Sequence, residues 1–134
     1  MRAALLLCGL AALFVACDDA GFNPSSVKEV TWKLESIERA GNPAIHVPNP
    51  EQYTLTFGND GRVTVRADCN QCTTTYTLDG AALKVAHLNC TTNFCTLASL
   101  DGNYAAALEG DSSIESSNEH LVITRGGVTL RFRS

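Results

Sequence analysis

The stretch YTLTFGNDGRVTVRADCNQCTTTYTLDGAALKV, residues 53–85, alternates apolar and polar side chains along four short segments separated by turn sequences. In the first segment Tyr53, Leu55 and Phe57 alternate with threonines. Such alternation is typical of strands with one buried face, and Asp79-Gly80 is a strong hairpin signal. The stretch therefore predicts consecutive antiparallel strands.

The alternation continues on both sides of this stretch, with Val30, Trp32 and Leu34 before it and Val128, Leu130 and Phe132 near the C-terminus. A different spacing, typical of one face of a helix, joins Leu97, Leu100, Tyr104 and Leu108. Gly110 fits the end of that helix. Residues 40–52 contain three prolines and predict a long loop.

The first seventeen residues predict export and lipid attachment. Met1-Arg2 precedes an apolar run, the layout of an export signal, and the run is shorter than the roughly 20 residues of a membrane span. Phe14-Val15-Ala16-Cys17 resembles a lipobox, where bacteria attach a diacylglyceryl group to cysteine and cleave before it. An ordinary secretory signal with an incidental Cys17 is the alternative.

This signal defines the expected organisation of the chain. We expect a lipoprotein signal peptide at 1–16, a flexible polar tether at 17–29 with acyl chains such as palmitate on Cys17, and one folded domain at 30–134. The protein would then reside in the bacterial cell envelope, anchored to a membrane that faces an oxidising compartment. Whether this is the inner or the outer membrane stays open.

The charge balance limits the partners of the domain. The formal net charge is −4, so the domain lacks the basic surface that nucleic-acid binding requires. Anionic headgroups would repel it. We therefore expect attachment to the membrane through the lipid on Cys17.

Four of the six cysteines remain in the domain: Cys69, Cys72, Cys90 and Cys95. An even number in a small exported domain predicts two disulfides. The hairpin at Asp79-Gly80 brings both cysteine pairs to its open end. Three connectivities are possible; we expect bonds between the two clusters, with Cys72–Cys90 and Cys69–Cys95 favoured.

Two alternatives use the same four cysteines. Their two-residue and four-residue spacings resemble those of a four-thiolate zinc site, but an oxidising compartment disfavours it, so we expect no cofactor and no metal. A redox centre would place its Cys-x-x-Cys at a helix N-terminus, whereas Cys69 and Cys72 precede a predicted strand.

The order of these motifs resembles a META/HslJ-type domain, a family with many envelope lipoproteins. The matching features begin with a Trp-x-Leu strand (Trp32, Leu34), a Tyr-x-Leu-x-Phe strand (Tyr53, Leu55, Phe57) with a downstream Asp-Gly turn (Asp60, Gly61), and a Cys-Asn pair (Cys69, Asn70). They continue with a Tyr strand (Tyr76), a Leu-x-Val strand (Leu83, Val85), a Cys-bearing segment (Cys90 to Cys95), one helix and a final Leu-x-Phe (Leu130, Phe132). With these elements placed, we expect an α+β fold. It consists of a mostly antiparallel, strongly curved sheet or incomplete barrel of about seven to eight strands, with one helix packed on it.

The resemblance links the domain with heat shock, envelope stress, antibiotic tolerance and virulence, and it carries over no catalytic residue. No nucleophile and base stand at a recognisable catalytic spacing, so we expect a non-enzymatic module used under envelope stress, with an envelope protein as partner. A second hypothesis is a binding protein, which holds a small apolar ligand in the curved sheet or inhibits a protease with the 40–52 loop. A third is a zinc or redox protein based on the four cysteines.

The first prediction concerns the mature protein purified from membranes without reductant and treated with a thiol-alkylating reagent. Its intact mass should show acyl chains, the loss of residues 1–16 and no alkylated cysteine. A mass without lipid, or membrane attachment that survives removal of Cys17, would contradict the predicted anchor. Alkylation of any of the four domain cysteines would contradict the predicted disulfides.

Overall fold

The structure is a computed structural model that describes residues 21–134. The predicted signal peptide 1–16 and the predicted lipidation site Cys17 lie outside the described residues. Ten strands and one α-helix are present in the described part: β1 (Trp32–Arg39), β2 (Ile45–His46), β3 (Tyr53–Phe57), β4 (Arg62–Ala67), β5 (Asn70–Asp79), β6 (Ala82–Val85), β7 (Asn89–Cys90), α1 (Asp101–Leu108), β8 (Gly110–Ser117), β9 (His120–Arg125) and β10 (Val128–Arg133).

Eight strands form a closed antiparallel barrel in the order β1, β3, β4, β5, β6, β8, β9 and β10, and β10 returns to pair with β1. This pairing extends from Lys33 opposite Arg133 to Arg39 opposite Val128. The short β2 and β7 pair with β1 and β5. The α+β class is correct in broad terms, but the incomplete barrel is wrong, because β10 covers the edge that β1 would otherwise expose.

The barrel interior is filled by side chains. Alternate residues of each strand point inward, and the largest fully buried side chains include Trp32, Phe57, Tyr104 and Phe132. The Tyr104 ring lies 6.1 Å from the Phe132 ring, measured between centroids. The space that a larger barrel would offer to a ligand is therefore occupied by the protein itself.

The two ends of the barrel carry different elements. The start of β3, the end of β4 and the start of β5 share one end with β7, because Tyr53 pairs with Ala67, Ala67 pairs with Asn70, and β7 pairs with β5 near its start. We name this the cysteine end. The turn between β3 and β4 and the segment that precedes β1 lie at the opposite end, which we name the N-terminal end.

The segment preceding β1 is folded from Pro24 onward. Pro24–Val27 form a 3-10 helix, and Val27 is fully buried. The Trp32 indole N–H donates to the Val27 carbonyl over 3.0 Å, and the Glu29 N–H donates to the Phe57 carbonyl. The predicted tether to residue 29 is therefore wrong over 24–29, because burial of Val27 attaches this segment to the core.

The predicted loop at 40–52 also contains structure. Ile45–His46 pair with β1 as β2, and Pro50–Gln52 form a 3-10 helix before β3. Val47 is buried between these two elements. The segment therefore packs along the barrel instead of projecting as one long loop.

The helix α1 covers the cysteine end and is shorter than the sequence pattern predicts. Tyr104 and Leu108 are buried against the barrel, but Leu97 is 97% exposed and lies outside the helix. The segment before Leu97 is held by a disulfide at Cys95, so the helix begins only at Asp101. Among residues 21–134, no helix has the length and apolar character needed to cross a membrane.

Leu108→Ala and Leu97→Ala test this placement, because both residues belong to the same predicted helix face. Leu108→Ala should lower the free energy of unfolding by about 2–5 kcal/mol through lost burial and a residual cavity. Leu97→Ala should change it by less than about 0.5 kcal/mol. Denaturant unfolding with intact disulfides measures both values, and similar losses in the two variants would contradict the structure.

Candidate functional site

The most distinctive group of polar and sulfur atoms lies at the cysteine end. Residues 91–97 leave β7, carry no regular secondary structure up to Thr96, and lead toward α1. We name this segment the disulfide loop. It runs beside the turn between β4 and β5, where Asp68 takes a left-handed backbone conformation with φ 59°.

Two disulfides fix the loop, as the cysteine count predicted. Cys72 and Cys90 lie directly opposite each other in the β5–β7 ladder and are bonded. Cys69 and Cys95 form the second bond, with their Cα atoms 5.5 Å apart. Both bonds join the two cysteine clusters, and each stabilises a fold of this kind by about 2–4 kcal/mol. They are consistent with an oxidising compartment.

The disulfides bear on the two alternatives that use the cysteines. A four-thiolate zinc site needs deprotonated sulfur atoms, and all four sulfurs are oxidised in these bonds. No group of three or more His, Cys, Asp or Glu residues within 21–134 is placed to hold a metal ion. A thioredoxin-like centre would bond Cys69 to Cys72, whereas each of these is bonded to the other cluster.

Asn70 holds the loop from inside. The residue is buried, with 5% of its surface exposed. Its amide nitrogen donates to the Asn93 carbonyl over 3.0 Å, and its amide oxygen accepts from the Asn93 N–H over 2.8 Å. The same amide oxygen accepts from the Thr91 hydroxyl, and the nitrogen also donates to the Asp101 carboxylate. One side chain thus fixes both backbone groups of Asn93 and ties the loop to the start of α1.

The loop presents two large apolar side chains to solvent. Phe94 is 80% exposed and Leu97 is 97% exposed, and among the described residues only Ile45, at 37%, is a further exposed large apolar residue. Isolated exposed apolar residues are ordinary. Here two of them lie three positions apart on the segment that the disulfides and Asn70 hold.

A cleft of about 220 Å³ lies beside the loop, between Thr96–Leu100 and the Pro48–Tyr53 segment. The Tyr53 hydroxyl accepts a hydrogen bond from the Leu100 N–H over 3.1 Å, which closes the inner side of this cleft. The cleft opens to solvent, since Pro48, Asn49 and Ala98 of its lining are exposed. It extends the exposed face of the disulfide loop toward β3.

Two titratable residues near the cysteine end, Tyr104 and Glu109, have shifted pKa values. Burial raises the pKa of the Tyr104 phenol well above its usual value, and its hydroxyl has no hydrogen-bond partner among the described residues. The Glu109 carboxylate accepts from the Leu88 N–H over 2.9 Å, which lowers the pKa of Glu109. His87 approaches the same carboxylate at 3.1 Å. Burial of Tyr104 attaches α1 to the barrel, and Glu109, directly after α1, holds the segment that precedes β7.

The N-terminal segment joins the barrel far from this loop. The Ser26 hydroxyl contacts the Ser116 hydroxyl near the end of β8, and the Glu29 N–H bonds to the end of β3. Both contacts lie at the N-terminal end. If the chain is attached through its N-terminus, the disulfide loop therefore lies at the opposite end of the barrel from the attachment.

Asn70 and Phe94 belong to this site, but the sequence patterns predict only its four cysteines. Asn70 follows Cys69 directly and is part of the Cys-Asn pair of the family resemblance, which assigns no role to its side chain. Phe94 is a single aromatic residue in the polar run TTNFCT, outside any alternating segment. An aromatic residue that belongs to no strand or helix pattern is the sequence signal for an exposed contact residue here.

Comparison with known proteins supports the fold. A sequence model described as META domain matches residues 25–134. The structure is similar to the NMR structure of a protein from Burkholderia xenovorans, at 22% identity and a TM-score of 0.67, covering 99% of this chain and 97% of that one. No curated protein matches the chain.

Two further structures share the fold at low identity. A DUF4847 family protein from Bacteroides vulgatus has 13% identity and a TM-score of 0.58, covering 81% of this chain and 94% of that one. A lipocalin-like protein from Bacteroides uniformis has 20% identity and a TM-score of 0.53, covering 77% of this chain and 94% of that one. At such identities the likeness concerns the fold alone.

Asn70→Ala tests the internal support of the loop. Loss of the amide should lower the free energy of unfolding by about 1–3 kcal/mol, because the groups it satisfied lose their partner. It should also speed hydrogen exchange at the Asn93 amide. Gln71→Ala is the matched control, since Gln71 is exposed on the same strand; unchanged exchange at Asn93 in the Asn70 variant would contradict the assigned role.

Proposed function

The chain belongs to the META domain family, and we propose that it is a non-enzymatic lipoprotein of the bacterial cell envelope that binds a protein partner through its disulfide loop. The single observation that carries this proposal is the pair of exposed apolar side chains, Phe94 and Leu97, on a segment held by two disulfides. Apolar side chains on a rigid segment are suited to burial in a partner.

The predicted anchor agrees with this orientation. Cys17 to Asn23 comprise seven residues, which span at most about 25 Å when fully extended. The folded domain begins at the N-terminal end of the barrel, so the lipid would hold that end toward the membrane. The disulfide loop would then face the aqueous compartment, where a soluble or membrane protein can reach it.

The polar groups at the loop support a structural role over a catalytic one. Asn70, Thr91 and Asn93 hydrogen-bond to one another and to backbone groups. General acid–base chemistry needs a titrating group near the reacting atoms; the carboxylate in this network, that of Asp101, accepts a hydrogen bond from the Asn70 amide and helps to hold the loop. The loop is therefore suited to binding.

The filled interior favours this proposal over a ligand carrier of the lipocalin type. Such carriers hold their ligand inside the barrel, where this chain places Trp32, Phe57 and Tyr104. We propose the use of the domain under envelope stress on the strength of the family resemblance.

A photo-reactive amino acid at position 94 or at position 64 tests the partner in living cells of the host. Thr64 is exposed near the middle of β4 and lies outside the disulfide loop. We expect a discrete cross-linked adduct from position 94 and none from position 64. A deletion strain under envelope stress should be rescued by the wild type and by Thr64→Ala, but poorly by Phe94→Ala combined with Leu97→Ala.

Two outcomes would overturn the proposed function. One is full rescue by the double variant together with no adduct at position 94. The other is saturable turnover of a small substrate by the purified protein.

A further inference from the structure

We propose that the disulfide loop inhibits serine proteases with an apolar S1 pocket, and that Phe94 is the side chain that enters this pocket. The inference rests on the proposed function, because it names the class of the protein partner. It replaces the 40–52 segment as the inhibitory loop, since Ile45–His46 of that segment are paired with β1.

The residues before Phe94 are held in place by a disulfide and by hydrogen bonds. Cys90 is bonded to Cys72, and the Thr91 N–H donates to the Gln71 carbonyl over 3.0 Å. Asn93 is fixed at both its N–H and its carbonyl by Asn70. A loop held in its bound shape loses little conformational entropy when it binds.

The residue after Phe94 is also attached to the barrel. Cys95 is bonded to Cys69, and the Cys69 N–H contacts the Cys95 sulfur at 3.2 Å. The peptide bond between Phe94 and Cys95 therefore has both of its sides attached to the barrel. Phe94 is 80% exposed between these two attachments.

The disulfide loop has the features that a serine protease recognises. A serine protease binds a non-helical segment in a concave cleft and places one side chain in its S1 pocket, which in chymotrypsin is a hydrophobic slot. Residues 91–96 have no helix or strand structure, and they project at the cysteine end, away from the predicted anchor. An exposed phenylalanine on such a segment has the size and polarity that an apolar S1 pocket accepts.

The attachment of Cys95 to Cys69 makes the loop an inhibitor and not a substrate that is consumed. The protease serine attacks the Phe94 carbonyl carbon, and the Phe94–Cys95 bond breaks with the proton delivered to the Cys95 nitrogen. Cys95 stays attached to Cys69, so its amine remains beside the acyl-enzyme and can attack it to re-form the bond. If water attacks the acyl-enzyme instead, the Phe94–Cys95 bond is hydrolysed with the addition of one water molecule. Both new chain ends stay attached to the barrel.

The experiment uses the mature full chain in detergent and measures the inhibition of chymotrypsin, of subtilisin and of trypsin on chromogenic peptides. We expect tight inhibition of at least one of the two proteases with an apolar S1 pocket, and none of trypsin. Phe94→Ala should weaken inhibition by about 100-fold, as the loss of a central side chain does at other interfaces. Phe94→Lys should transfer inhibition to trypsin, whose S1 pocket carries an aspartate.

Thr64→Ala is the control and should inhibit like the wild type. Phe94 is exposed, so its variants should unfold at the same denaturant concentration as the wild type, which separates lost binding from lost folding. Rapid cleavage after Phe94 without inhibition, no inhibition of chymotrypsin or subtilisin, or inhibition that is unchanged in Phe94→Ala would overturn the proposal. Cross-linking at position 94 in cells would still support the proposed function in those cases, so the two failures are distinguishable.

Discussion

The hydrogen-bonded pairing of β10 with β1 is the constraint on which the rest of the structure depends. It joins the last strand of the chain to the first strand of the barrel, over six residue pairs. Without it the sheet would expose two edges, which invite association with other chains. With it, the inward side chains of all eight strands share one enclosed core. The enclosed core in turn leaves only the outer surface and the two ends for function.

The two ends of the closed barrel are specialised in different ways. At the N-terminal end, Val27 and Trp32 attach the beginning of the domain to the core. At the cysteine end, α1 covers the opening and the disulfide loop crosses beside it. A segment without a strand ladder is usually mobile; here covalent bonds and the Asn70 amide replace the missing ladder. The disulfide loop, at the end that faces away from the predicted anchor, is thus held in a fixed shape.

The likeness to a lipocalin-like protein concerns the barrel fold alone, and the interior of this barrel is filled. Large aromatic side chains occupy the interior, with Tyr104 contributed by α1. Packing at this density leaves little room for a ligand. In the proposed function the barrel serves as a rigid support, and its rim carries the exposed side chains of Phe94 and Leu97. The proposed binding through Phe94 follows from this division between core and rim.

Local patterns in the sequence determined the strand segments, the existence of disulfides and the predicted export signal, because alternation, cysteine number and the apolar N-terminus are each readable within short stretches. The closure by β10, the burial of Val27, the exposure of Leu97 and the choice of partner for each cysteine were decided only by the tertiary structure. Each of these depends on contacts between residues distant in the chain. Asn70 shows the same limit: its place in the sequence identifies a motif, and only the fold brings Asn93 and Asp101 to its side chain.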